Sequence, residues 1–200
     1  MRTRLRFLCI ALACAVHAVS TAHADKLRTP SPRIFAAPEG AVAFAMLPPP
    51  VDAKTGRALP GGRGIAYQLQ ADGSMKVLYR TTGWYSDDVF ISPDGQSLVR
   101  LGSWTRAPSP SREHLGVAIY RSGKLVRQYA VTDLLKDASK ARLTVSHYFW
   151  RPDEGGDGPR PELTDWDQSF TLQTVDGWEY VFDLKTGAIK RESRVDGGKN

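Results

Sequence analysis

Cysteine is almost absent from this 200-residue chain: Cys9 and Cys14 are the only two, both within the first fourteen positions. Arg2, Arg4 and Arg6 precede the apolar run "FLCIALACAVHAV", which leads into Ala22-His23-Ala24. A basic start, a short apolar middle and an A-x-A site form the pattern of a secretory signal peptide. The run is shorter than the roughly 20 residues a membrane helix needs. Residues 1–24 are therefore expected to be a leader cleaved after Ala24, and both cysteines leave with it. A mature chain without thiols excludes disulfides, thiolate metal sites and cysteine nucleophiles. A second reading of the same residues is that Leu12-Ala13-Cys14 resembles the lipobox of lipoproteins, which would leave the chain lipid-anchored at Cys14. Ala11 stands there in place of the usual leucine.

Histidine is almost as scarce. Of four, His17 and His23 belong to the leader, leaving His114 and His147. No H-E-x-x-H or similar zinc spacing exists. The nearest approach to a nucleophile elbow, Gly95-Gln96-Ser97-Leu98-Val99, lacks the last glycine and sits in a hairpin. Ser146 and His147 are neighbours, which on a strand point to opposite faces. "GGRG" at 61–64 precedes a strand pattern, without the helix N-terminus a phosphate needs. "DEGGDG" at 153–158 does not follow the order of a calcium loop. No cofactor and no metal is expected.

Excess charge is also small. The chain carries 27 Lys and Arg against 21 Asp and Glu, a net +6, and the leader takes three of the arginines. The rest are scattered, so nucleic acid is not an expected partner. No later segment is long and apolar enough to be a transmembrane span.

What is present is period two. Residues 25–63, rich in proline and glycine, read as an extended arm in which "AVAFAML" at 41–47 supplies one strand. Residues 64–194 read as one antiparallel β domain, followed by a disordered tail at 195–200. Ile65, Tyr67 and Leu69 share one strand face, and Met75, Val77 and Tyr79 share another across the turn Asp72-Gly73. Pro93-Asp94-Gly95 turns Val89–Ile91 back onto Leu98–Leu101. Ser122-Gly123 joins 117–120 to 124–131, and Asp176-Gly177 and Thr186-Gly187 separate the last three strands. Thr132 as N-cap and Asp133 in a first turn predict one short helix over 133–138. About ten strands joined by hairpins make an all-β meander, as a sandwich or a strongly curved sheet.

"FISPDGQSLVRLG" at 90–102 resembles the inner hairpin of a β-propeller blade, and "YVFDLKTGAIKRE" at 180–192 resembles the strand-turn-strand of quinoprotein-type blades with their D-x-x-T-G turn. The resemblance implies propeller-like hairpins. Turn glycines at 73, 95, 123, 177 and 187 lack the fixed period of a closed propeller, so no closed ring and no bound quinone is expected.

Aromatics and carboxylates mark the candidate site. Tyr85, Trp104, Tyr148 and Trp166 flank long loops and are the expected surface aromatics, while Phe149, Trp84 and Trp150 read as core. Asp87 and Asp88 precede the Val89 strand, and His147 precedes an acidic loop, 151–167. The expected ligand-binding residues are Tyr85, Asp87, Asp88, Trp104, His147, Tyr148 and Trp166. They suit a non-enzymatic, secreted, periplasmic binding or assembly module of the cell envelope, contacting a protein, peptide or glycan. The alternative is a metal-independent hydrolase built on a carboxylate pair from Asp87, Asp88 and the acidic loop. Residue spacing leaves oligomeric state open.

Overall fold

The computed structural model describes residues 29–38, 40–55, 59, 61–102, 107–145, 147–156, 158–164, 166 and 168–195. The leader and its alternative anchor at Cys14, Trp104, and all but the first residue of the 195–200 tail lie outside them.

Three four-stranded sheets follow one another along the chain. Sheet one comprises β1 (Arg33–Ala36), β2 (Val42–Leu47), β3 (Arg63–Leu69) and β4 (Met75–Thr82). Sheet two comprises β5 (Val89–Ile91), β6 (Ser97–Leu101), β7 (Leu115–Arg121) and β8 (Lys124–Ala130). A one-turn helix α1 (Val131–Leu134) and a two-stranded ladder, β9 (Arg142–Leu143) with β10 (Tyr148–Phe149), come next. Sheet three comprises β11 (Glu162–Thr164), β12 (Ser169–Gln173), β13 (Trp178–Asp183) and β14 (Ile189–Arg194). Within each four-stranded sheet the strands pair antiparallel in chain order. Among the described residues the protein is thus an all-β antiparallel hairpin meander, with propeller-like hairpins and no closed barrel.

The turns form where the sequence demands positive φ. Gly95 adopts φ +69°, its N–H donates to the Ser92 carbonyl at 2.8 Å, and Asp94 accepts from Ser92 Oγ and from the Gln96 N–H. Thr174 and Asp176 repeat this arrangement in sheet three. Ser122 (φ 45°) and Gly123 (φ 80°) close the β7–β8 hairpin with both central residues left-handed, as a two-residue connection requires.

Sheet two is the middle layer. Along β7, Val117 and Ile119 enter a core shared with sheet three, while Ala118 and Tyr120 enter a core shared with sheet one. Leu98 and Val99 split between the same two cores. Burial on both faces explains why β6 and β7 are nearly continuous apolar runs. Phe44 and Met46 fill the first core from β2, and Phe170, Tyr180 and Phe182 fill the second from sheet three.

Two expectations change in detail. The segment read as an arm with one strand supplies two, because β1 pairs with β2 from Arg33↔Met46 to Ala36↔Ala43. Its prolines, Pro30, Pro32 and Pro38, flank the strand and leave its ladder intact. The helix begins earlier and is shorter than predicted: the Asp133 carboxylate accepts the Ala130 N–H at 2.8 Å, so the chain turns at Ala130 and not at Thr132.

Candidate ligand-binding cleft

The first strand of each four-stranded sheet is short, and residues in or just before these three strands border one cleft of about 480 Å³. Phe35 of β1, Val89 and Phe90 of β5, and Pro161 just ahead of β11 supply apolar walls. Asp88, Arg151, Asp153, Glu154 and Arg160 supply the charges.

Arg151 organises them. Trp150, 3% exposed, is fixed in the second core, and the guanidinium lies 5.5 Å from its ring. Pro152 then starts a 3-10 turn, Pro152–Gly155. Glu154 Oε2 closes that turn by accepting the Trp150 N–H at 2.9 Å and the Arg151 N–H at 3.1 Å. With its own side chain only 3% exposed, Arg151 faces Asp88 Oδ2 at 3.2 Å, Asp153 Oδ1 at 3.5 Å and Glu154 Oε1 at 3.5 Å. Burial raises the carboxyls of Asp153 and Glu154 above the ordinary range, and the Arg151 charge opposes that rise at both. The charge of Asp88 pushes Asp153 up further. Without the cation, the carboxylates of Asp153 and Glu154 would face each other uncompensated in this buried space.

Asp87 points the other way. Arg33 Nη1 donates to its main-chain oxygen at 2.6 Å and to its Oδ1 at 3.1 Å. The Tyr85 hydroxyl donates to the Ser31 carbonyl at 2.8 Å and also reaches Asp87 Oδ1 at 3.2 Å. Tyr85 and Asp87 therefore clamp β1 beside β5, and so hold the Phe35 wall of the cleft in place.

The expected aromatic surface is corrected in part. Tyr148 is 4% exposed, not a surface residue: its ring belongs to the second core, and its hydroxyl lies 2.8 Å from His114 Nδ1. His114 also accepts the Ser111 N–H through Nδ1. His147 is 2% exposed, with Nδ1 2.8 Å from Thr144 Oγ1 and its ring edge-on to Phe149. Trp166 is 94% exposed at φ +54°. Trp84 packs against the first core and Trp150 lies in the second, as expected. Of the seven predicted site residues, Asp88 lines the cleft, Tyr85 and Asp87 brace it, and His147 and Tyr148 are interior. Arg151, Arg160 and Phe35 were missed, and Glu154 was read only as one carboxylate of the acidic loop; the Arg151–Glu154 spacing of three, next to Pro152, was the available signal.

Among the described residues, no group of three or more His, Cys, Asp or Glu is placed to hold a metal ion. No helix among them is long and apolar enough to cross a membrane.

No protein-family model matches the chain, and no curated protein does. Among solved structures it is similar to the Dos1 propeller, with a TM-score of 0.38 and 14% identity over 82% of this chain and 33% of that one. It is likewise similar to Sqt1 of Chaetomium thermophilum, solved bound to the N-terminus of the ribosomal protein L10. There the TM-score is 0.38 and the identity 16%, over 80% of this chain and 33% of that one. The chain spans about a third of the length of these structures.

Proposed function

We propose that the protein is a secreted, periplasmic, non-enzymatic binding or assembly module of the cell envelope. The observation that carries this reading is the Arg151 cluster. Asp88, Asp153 and Glu154 converge, but on one buried guanidinium that ties two loops together. Carboxylates engaged in this way shape and charge a cleft, where acid–base catalysis would need them free to exchange protons. The cleft's volume suits a peptide or sugar segment, with apolar walls for orientation and Asp88 and Arg160 for polar recognition. Export is supported by the Arg2–Arg6 start and the Ala22-His23-Ala24 site.

The test is capture of envelope components by the exported protein and by an Asp88→Asn/Arg160→Gln variant of unchanged circular dichroism. A component held by the parent and released by the variant supports the reading. One held equally by both removes the cleft from it.

One feature favours a hydrolase as the second reading: Asp153, raised by burial, and Asp88, about half exposed, flank one cleft. Pairs with unlike environments are how acid and base are assigned. Hydrolysis of an envelope glycan or peptide that Asp153→Asn abolishes, with the fold intact, would select that reading.

A further inference from the structure

The outward face of sheet one has the composition of a buried face. Its register aligns Ile34, Ala45 and Ile65 in one row, which ends in Arg80 at the edge strand, and Ala43, Tyr67 and Val77 in the next. Ile34 is 76% exposed and Met75 49%. The alternate residues of the same strands, Phe44 and Met46 among them, are fully covered by sheet two. Ala43 and Ala45 leave a furrow along β2 of about 160 Å³, bordered by Ile34 on one side and Tyr67 and Met75 on the other. Contiguous exposed apolar surface is a feature of interaction sites. Sheet three, at the other end of the stack, is finished differently: its outward Arg191 pairs with Glu179 at 2.9 Å, and Lys190 donates to Ser169 Oγ at 3.1 Å.

We propose that this face joins two copies of the chain in a two-fold dimer, sheet one against sheet one. Under a two-fold axis each copy presents the same apolar rows to the other, as an isologous contact requires. The charges agree. Arg63 and Arg80 are exposed at one end of the β3–β4 pair, and Asp72 is exposed in the turn at the other. A two-fold axis across the strands exchanges these ends, setting each Asp72 near the partner copy's arginines and keeping like charges apart. The polar, internally paired face of sheet three offers no such match, which disfavours head-to-tail assembly. This contact lies on the face of sheet one opposite the Phe35 wall of the Arg151 cleft, and it stands whether or not the cleft binds a ligand.

The test is the sedimentation mass of the protein recovered after export of the full chain, from roughly 1 to 100 μM, a span in which moderate self-association is read directly. The expected result is a mass that doubles across the range. Ala45→Arg, or Val77→Lys at the more tolerant edge strand if the first variant fails to fold, should hold the protein at monomer mass. Thr171→Arg on sheet three should leave the dimer intact. Asp72→Arg should weaken it about fivefold or more, and Arg63→Asp/Arg80→Asp in the same chain should restore part of the loss. A monomer at every concentration overturns the proposal. So does a dimer that persists in both sheet-one variants, or one that Thr171→Arg dissolves.

Discussion

The hydroxyl of Tyr180 donates to the main-chain oxygen of Leu134 at 2.6 Å, across 46 positions of sequence. Both residues are fully buried. The bond ties the one-turn helix to the middle of sheet three and satisfies a carbonyl that so short a helix cannot pair internally. Tyr180→Phe keeps the ring and strands that carbonyl. The expected cost is about 1–2 kcal/mol, or a few degrees in melting temperature for a domain of this size. Urea unfolding reads the first, and faster amide exchange confined to 131–135 locates it.

Alkali should weaken the fold through two phenols. Burial raises Tyr79 above the ordinary tyrosine range, with Asp94 adding to it. Burial raises Tyr180 as well, with Glu192 and then Asp176 adding to it. In the unfolded chain both ionise near pH 10, while the folded chain retains both protons. Stability from these groups is therefore whole below about pH 10 and is lost as pH rises toward the folded values. The limiting slope is about 1.4 kcal/mol per pH unit for each. Urea midpoints measured between neutral pH and pH 11 should fall only at the alkaline end, and Tyr180→Phe should flatten part of the fall. A midpoint that stays level through pH 11 would contradict this.

Much of the fold was legible because turns and alternation are local. Asp94-Gly95, Ser122-Gly123 and Asp176-Gly177 each require a left-handed residue, and each closes a hairpin where the sequence places one. Two things were not local. The strand β1 is only four residues long and is defined by its pairing to β2, so the prolines around it dominated its sequence pattern. The site depended on which of several adjacent aromatics turned inward. In "HYFW", His147, Tyr148 and Trp150 are buried and Phe149 is partly so, an outcome set by the second core arriving from sheet three. Asp88 was read as a candidate, but its partner Arg151 is 63 positions away and could not be seen to meet it.

Arg151 should be the least replaceable charge in the protein. Arg151→Met removes the cation and leaves Glu154, whose side chain is 8% exposed, as an uncompensated buried acid. The expected loss is about 3 kcal/mol. Arg151→Lys should recover little of it, since one ammonium cannot meet three carboxylates approaching a planar fork from separate directions. Adding Glu154→Gln to Arg151→Met should recover part, by removing the acid that the cation had served. Denaturant midpoints of the four chains decide this, and an Arg151→Met protein as stable as its parent would show the cluster to be ornamental.

Two glycines with similar backbone angles should differ in how they tolerate a methyl group. Gly73 (φ +82°) and Gly95 (φ +69°) both sit in turns after aspartate, in the region that costs an L-residue about 1 kcal/mol or more. A Cβ at Gly73 would meet open space, whereas at Gly95 it would run into the Leu78 side chain, which reaches over from sheet one. Gly95→Ala must therefore add displacement of Leu78 to the backbone cost, about 1 kcal/mol beyond Gly73→Ala. The excess belongs to the contact between two sheets, so it should shrink in a Leu78→Ala background while the cost at Gly73 does not. A double-mutant cycle on urea midpoints isolates that coupling. Equal costs at the two glycines, or a Gly95 cost indifferent to Leu78, would place sheet one farther from the β5–β6 turn than the packing described above.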